Sequence, residues 1–160
     1  MTELFQGEVQ NRIDTKGRVS VPAGFRRVLE QCDPDFTAGS NTRMSVLYWP
    51  NKKCLEVYSV EGMAELADMV KKHPPRSPQR EMLSRFLGSG SQQLQLDETG
   101  RVVLSEKMRN LAGLSEDVLF VGAIDKFEIW DPQAYEVDFQ EKLAQFENFD
   151  APFGETMREG

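Results

Sequence analysis

Apolar residues at Phe5, Val9 and Ile13 alternate with polar neighbours at the period of a β-strand, and Val19 and Val21 resume the alternation after a short polar break. The spacing then becomes helical, with Phe25, Val28, Leu29 and Cys32 at i, i+3, i+4 and i+7. The break, Asp14-Thr15-Lys16-Gly17, has the chemistry of a tight turn. Asp14 can accept backbone hydrogen bonds across it, and Gly17 can take the left-handed conformation that closes it. The pattern predicts a hairpin and then a helix whose first turn holds Pro22, where a missing N–H costs nothing. If Val19 and Val21 face the core, Arg18 and Ser20 point outward, with Lys16 at the tip.

The same plan recurs. Asp97-Glu98-Thr99-Gly100-Arg101-Val102 repeats Asp14-Thr15-Lys16-Gly17-Arg18-Val19; Leu94 and Leu96 lead in, Val102 and Leu104 return, Ser105 can cap, and Met108, Leu111 and Ala112 form the helical stripe. Arg109 stands where Arg26 stood. Downstream, Val46-Leu47-Tyr48 and Leu55-Glu56-Val57-Tyr58 match Val118-Leu119-Phe120 and Phe127-Glu128-Ile129-Trp130, two further strands per copy. The first copy is longer between turn and strands, and the segment from Asp33 to Ser40 is the expected insertion. Each copy ends in a helix: one with Val60, Met63, Ala64 and Ala67 on its apolar face, the other opened by Asp131-Pro132 and carrying Tyr135, Phe139, Leu143 and Phe146. A Pro-rich connection from His73 to Pro78 separates the halves, followed by a short helix from Gln79 to Leu87.

The predicted organisation is a first unit over residues 1–76, a second over 77–146, and a disordered tail over 147–160. Two half-sized units of this length share one core. The expected fold is mainly-β α+β. Two copies of one hairpin packed about a pseudo-dyad would put both cationic turns on a single edge.

Composition excludes several classes. With 39% hydrophobic and 28% charged residues the chain is an ordinary globular one, and no stretch approaches the ~20 apolar residues of a membrane span. The amino terminus has no basic region leading into an apolar run, so the expected location is cytoplasmic. Cys32 and Cys54 lack the paired spacing of a zinc or redox site and read as inert thiols, and the single histidine, His73, sits in the connection. No nucleophile with a base, phosphate-binding glycine loop or metal-ligand cluster is present, so neither enzyme activity nor a cofactor is expected.

The net charge of −7 argues at first against a nucleic-acid partner, but it is unevenly placed. Seven acids oppose two bases from Glu136 to Gly160, whereas five bases (Arg12, Lys16, Arg18, Arg26, Arg27) oppose only Asp14 from Gln10 to Leu29. The first turn is therefore basic within an acidic chain. From Gln93 to Ala112 three acids balance three bases, so the second turn is neutral.

In order along the chain, Phe5-Gln6-Gly7-Glu8, Ile13-Asp14-Thr15-Lys16-Gly17-Arg18-Val19-Ser20-Val21-Pro22, Arg85-Phe86-Leu87, Gly100-Arg101-Val102, Val121-Gly122 and Phe127-Glu128-Ile129-Trp130 resemble the MraZ family. The resemblance covers the chain to about Phe146. It implies two tandem AbrB-like swapped-hairpin units in a barrel-like core with flanking helices. It also implies a ring-like homo-oligomer, an octamer, associated with the nucleoid. The function implied is regulation, as a repressor of the division and cell wall gene cluster, through G-rich direct repeats in its own promoter. By position, the family's DNA-reading residues fall on Thr15, Lys16 and Arg18 in the first copy and Thr99 and Arg101 in the second.

The residues suit that role on physical grounds. A narrow tip can enter the major groove of double-stranded DNA, where an arginine pairs with guanine O6 and N7, while lysine and threonine suit phosphates. Arg18 and Arg101 either do this or pair with nearby carboxylates. Arg26 and Arg27, like Arg109, are either DNA contacts or a solvated helix face, and Lys71, Lys72, Arg76, Arg80 and Arg85 form a second basic stretch. One tip binds weakly, so affinity requires several linked chains. The apolar faces of Gln79 to Leu87 and Asp131 to Phe146 are candidate subunit contacts. The alternative reading is a protein-binding module of the same fold, antitoxin-like, with the acidic end occupying its partner.

Overall fold

The computed structural model describes residues 4–147. Of the tail expected to be disordered over 147–160, Glu147 instead ends a helix, and the rest, from Asn148 onward, lies outside the described residues. The first half runs β1 (Glu8–Arg12), β2 (Arg18–Ser20), α1 (Ala23–Gln31), β3 (Arg43–Tyr48), β4 (Leu55–Tyr58) and α2 (Val60–Lys71). After α3 (Pro78–Leu87), the second half runs β5 (Ser91–Gln95), β6 (Arg101–Val103), α4 (Glu106–Leu111), β7 (Asp117–Gly122), β8 (Phe127–Trp130) and α5 (Pro132–Glu147). The α+β class and the repeated order of elements agree with the alternation in the sequence.

The pairing does not follow the expected hairpins. β1 pairs with β7 and β5 with β3, while β2 and β6 pair with each other as a separate antiparallel ribbon. Each turn is closed locally, Asp14 N–H donating to the Arg18 carbonyl and Gly17 N–H to the Asp14 carbonyl, both at 3.0 Å. The strands on either side then part company. β2 has only three residues and obtains its ladder from its own counterpart in the other half, β6, run antiparallel. The main sheet is six-stranded in the order β1-β7-β8-β4-β3-β5, which reads the same from either end when the labels of the halves are exchanged. It is open, with β1 and β5 at its edges; among the described residues it does not close into the expected barrel.

Register corrects the matching of the copies. Val118 lies opposite Asn11 and Met44 opposite Leu94. Asn11 and Leu94 each stand three residues before their turn aspartate, so Val118 corresponds to Met44 and not to Val46. The first copy thus carries its extra residues in two places, the Asp33–Ser40 loop and the β3–β4 connection. Val9 also departs from expectation, being 40% exposed where Phe5 and Ile13 are buried. Gly7, at φ +91°, re-aims the chain between Phe5 and β1, which then lies at the sheet edge.

The core joins both halves. Phe5, Phe25 and Phe127 meet with ring centroids 4.9–5.8 Å apart, and Val19, Val102, Leu29 and Leu104 are buried in the same cluster. Ser59, Ser77 and Ser105 cap α2, α3 and α4 by accepting backbone N–H bonds, as their position before helical stripes implies. Asp131 precedes α5 and its carboxylate accepts from Ala134 N–H, but the helix buries no residue. Arg80, from the second basic stretch, donates to the Lys71 and His73 carbonyls at the end of α2.

β4 and β8 meet at the middle of the sheet with Glu56 opposite Glu128, both buried. Each glutamate accepts from an indole, Glu56 from Trp49 and Glu128 from Trp130. The Lys52 ammonium lies between them, 2.8 Å from Glu56 and in contact with Glu128, and Lys126 stands 3.5 Å from Glu56. Burial works against the Lys52 charge, but the two carboxylates more than offset it and hold its pKa above the ordinary lysine range. Cys54 is buried beside this cluster with its thiol pKa pushed up by burial, in keeping with an inert role.

Candidate nucleic-acid interface

Each turn is built around its aspartate. Asp14 Oδ1 accepts the backbone N–H groups of Lys16 and Arg18, both at 2.9 Å, and Oδ2 accepts Arg18 Nε at 2.7 Å. Asp97 repeats this with Thr99 and Arg101, adding the Thr99 hydroxyl at 2.8 Å and Arg101 Nε at 3.2 Å. Gly17 and Gly100 complete the turns at φ +83° and +82°. The backbone N–H of Arg18, then its side chain, hold the Asp14 pKa below the ordinary range; the Arg101 backbone and Thr99 hydroxyl hold Asp97 at about 2.

These depressed values have a sign. An aspartate stabilised in its ionised form supports the fold above its unfolded pKa and withdraws that support as pH falls through the folded value. For Asp97 the window runs from 3.8 down to about 2. A carboxyl-detected NMR titration should give Asp97 a midpoint near 2, and Asp97→Asn should remove pH dependence in that window. A midpoint near 3.8 would show the Thr99 and Arg101 bonds to be absent in solution.

The arginines are paired and still available. Their carboxylates engage only Nε, and no hydrogen bond among the described residues engages Nη1 or Nη2 of Arg18 or Arg101. Both side chains remain about 40% exposed. Such exposed pairs contribute little to stability, and their effect here is to fix the direction of the guanidinium. Of the two readings open in the sequence, the carboxylate pairing is present, in a form that leaves the Nη groups without a hydrogen bond among the described residues.

The ribbon brings both halves onto one face. Val19 and Val102 face each other in the core, so Arg18 and Ser20 of β2 share the outer face with Arg101 and Val103 of β6. Thr15 and Lys16 are exposed at the first tip and Thr99 at the second. Arg27 is exposed on α1. Arg26 is half-buried and reaches across the molecule: its Nη1 donates to the Thr99 carbonyl of the second turn at 3.3 Å. Its counterpart Arg109 donates Nε to the Leu104 carbonyl at 3.0 Å and lies against Gly17 of the first turn.

Comparison with known proteins now decides the family. A curated relative from Ruegeria pomeroyi is 39% identical over 150 residues, covering 93% of this chain and 88% of its own. The chain belongs to the MraZ family. The family model "MraZ protein, putative antitoxin-like" matches residues 87–157. A relative from a second Ruegeria is 37% identical with 85% and 82% of the chains covered, and one from Parvibaculum lavamentivorans is 39% identical with 82% and 78% covered. All three are named "Transcriptional regulator MraZ". No helix among the described residues is long and apolar enough to cross a membrane.

Sequence reasoning placed the tips but missed their cross-connections. Arg109 was an exposed helix position by periodicity, and Arg26 belonged to its own copy's helix. The signal was the equivalence of the copies, because strands that exchange partners carry their following helices to the opposite turn.

Proposed function

We propose that this protein is a DNA-binding transcriptional regulator that reads duplex DNA with the outer face of the β2–β6 ribbon and the two turns beside it. One observation carries the reading: Arg18 and Arg101, from different halves, share that face with no hydrogen bond to their Nη groups among the described residues. A two-stranded ribbon fits the major groove, and an arginine held by a carboxylate through Nε keeps its terminal donors for guanine. Arg18 and Arg101 supply base contacts. Thr15, Lys16, Thr99, Arg26 and Arg27 supply backbone contacts that fix register.

The names of the relatives support regulation of transcription. The finer reading follows the family resemblance: two tandem AbrB-like units over residues 1–76 and 77–146, a ring-like octamer, and repression of the division and cell wall cluster from G-rich direct repeats, in the cytoplasm at the nucleoid. Linked chains on repeated sites would offset the small cationic footprint of one chain. The apolar side of α5 leaves Phe139, Leu143 and Phe146 exposed beyond Tyr135, which packs on Trp130, and this supports self-association. An antitoxin-like role is the second reading, favoured by the description of the matching family model.

A mobility-shift assay on the chain's own upstream DNA at two salt concentrations tests the first reading. Arg18→Ala should lose about 1–3 kcal/mol of discrimination, roughly 5- to 150-fold, between target and scrambled DNA. Lys16→Ala should weaken both alike and lower the salt slope by about one. Unchanged discrimination by the Arg18 variant would remove the ribbon face as the reading surface.

A further inference from the structure

The second tip lacks a cation of its own. Glu98 and Thr99 stand where the first tip has Thr15 and Lys16, and the Thr99 hydroxyl is turned back onto Asp97. With Asp97, Glu98 and, across a shallow pocket, Glu30, this corner is acidic apart from Arg101 and one guanidinium from the other half, Arg26. Without Arg26 such a corner would repel a phosphate.

The placement of Arg26 is built, not incidental. Val21 N–H donates to the Gly100 carbonyl at 2.9 Å, tying the root of α1 to the second turn. Arg26 lies one turn into that helix, its own N–H bonded to the Pro22 carbonyl at 2.8 Å. Its guanidinium crosses Gly100 at a point where any Cβ would collide with it, and Nη1 ends on the Thr99 carbonyl. The mirror arrangement is present and differs in one respect. Leu104 N–H donates to the Gly17 carbonyl at 2.8 Å, but Arg109 stops at the Leu104 carbonyl, short of a tip that has Lys16.

We propose that the second turn is a composite phosphate-binding site completed by Arg26 from the first half, which stands in for the lysine its sequence lacks, while Arg109 buttresses the first turn. Both tips then engage the DNA backbone despite their unequal sequences. This rests on the DNA-binding reading above and adds an assignment: Arg26 acts with Arg101 and Thr99, not with Lys16 and Arg18 of its own half.

A double-mutant cycle on the upstream DNA fragment tests it, using the full chain. Arg26→Ala should weaken binding several-fold and lower the slope of log Kd against log salt by about one, and Arg26→Lys should restore the slope. The losses from Arg26→Ala and Arg101→Ala should be coupled, the double variant losing less than the product, whereas those from Arg26→Ala and Lys16→Ala should multiply. Thermal unfolding of each variant separates lost contact from lost fold. Coupling to Lys16 instead of Arg101, or an unaltered slope in Arg26→Ala, would overturn the assignment while leaving the DNA-binding reading in place. Absence of DNA binding by the unmodified protein would remove both.

Discussion

Lys52→Met should destabilise the protein by about 3–5 kcal/mol, more than removal of any surface ion pair. The variant leaves Glu56 and Glu128 facing each other across β4 and β8 with only Lys126, 3.5 Å from Glu56, to compensate. Both carboxylates are buried, at 4% and 8% exposure, so hydration makes up only part of the lost ammonium contacts. The loss falls near the lower end because Trp49, Tyr58 and Trp130 still donate to these oxygens. Chemical denaturation at neutral pH measures it.

The sign with pH distinguishes this cause from simple loss of packing. Burial opposes the ionised form of Glu56, but Lys52 prevails and its folded pKa lies below the ordinary 4.5. In the unmodified protein Glu56 therefore contributes stability above 4.5, which is lost as pH falls through the folded value. Without Lys52 the facing carboxylates can relax only by taking up a proton, so the penalty of the variant should shrink on acidification. Glu56→Gln introduced into Lys52→Met should recover part of the stability. A penalty independent of pH and unrelieved by that second change would mean that the Lys52 stem, not its charge, matters.

How this cluster escaped the sequence reading is instructive. Leu55-Glu56-Val57-Tyr58 and Phe127-Glu128-Ile129-Trp130 are recognisable as matching strands, and their alternation permits an outward glutamate. Only the pairing of β4 with β8 makes the two glutamates neighbours, and pairing between equivalent strands is a property of the folded duplicate. The same holds for the hairpins. Asp14, Gly17, Asp97 and Gly100 encode their turns locally, and those turns are present. Which strand β2 hydrogen-bonds is decided instead by β6, 83 positions away in the repeat. The guanidinium-bearing residues were identifiable from charge and position, whereas the carboxylates that aim Arg18 and Arg101, and the half that Arg26 serves, depend on tertiary geometry.

The two turn glycines should respond unequally to the same substitution. Both sit at φ above +80°, so alanine at either costs about 1–2 kcal/mol in backbone strain. At Gly17 a Cβ would also stand 2.5 Å from the carbonyl oxygen of Leu104, the residue after β6, whose own N–H is bonded to the Gly17 carbonyl. Relief there requires β6 to move, which adds overpacking strain and brings the expected cost to about 2–4 kcal/mol. At Gly100 the obstacle is the end of the Arg26 side chain, which can swing away. Gly100→Ala should therefore unfold at a denaturant concentration between those of the unmodified protein and Gly17→Ala. Its larger effect should be on DNA, because displacing Arg26 strips the second tip of its borrowed cation, and its salt slope should match that of Arg26→Ala. Equal midpoints for the two glycine variants would mean that torsion alone sets the cost, and that the carbonyl of Leu104 yields as readily as a side chain.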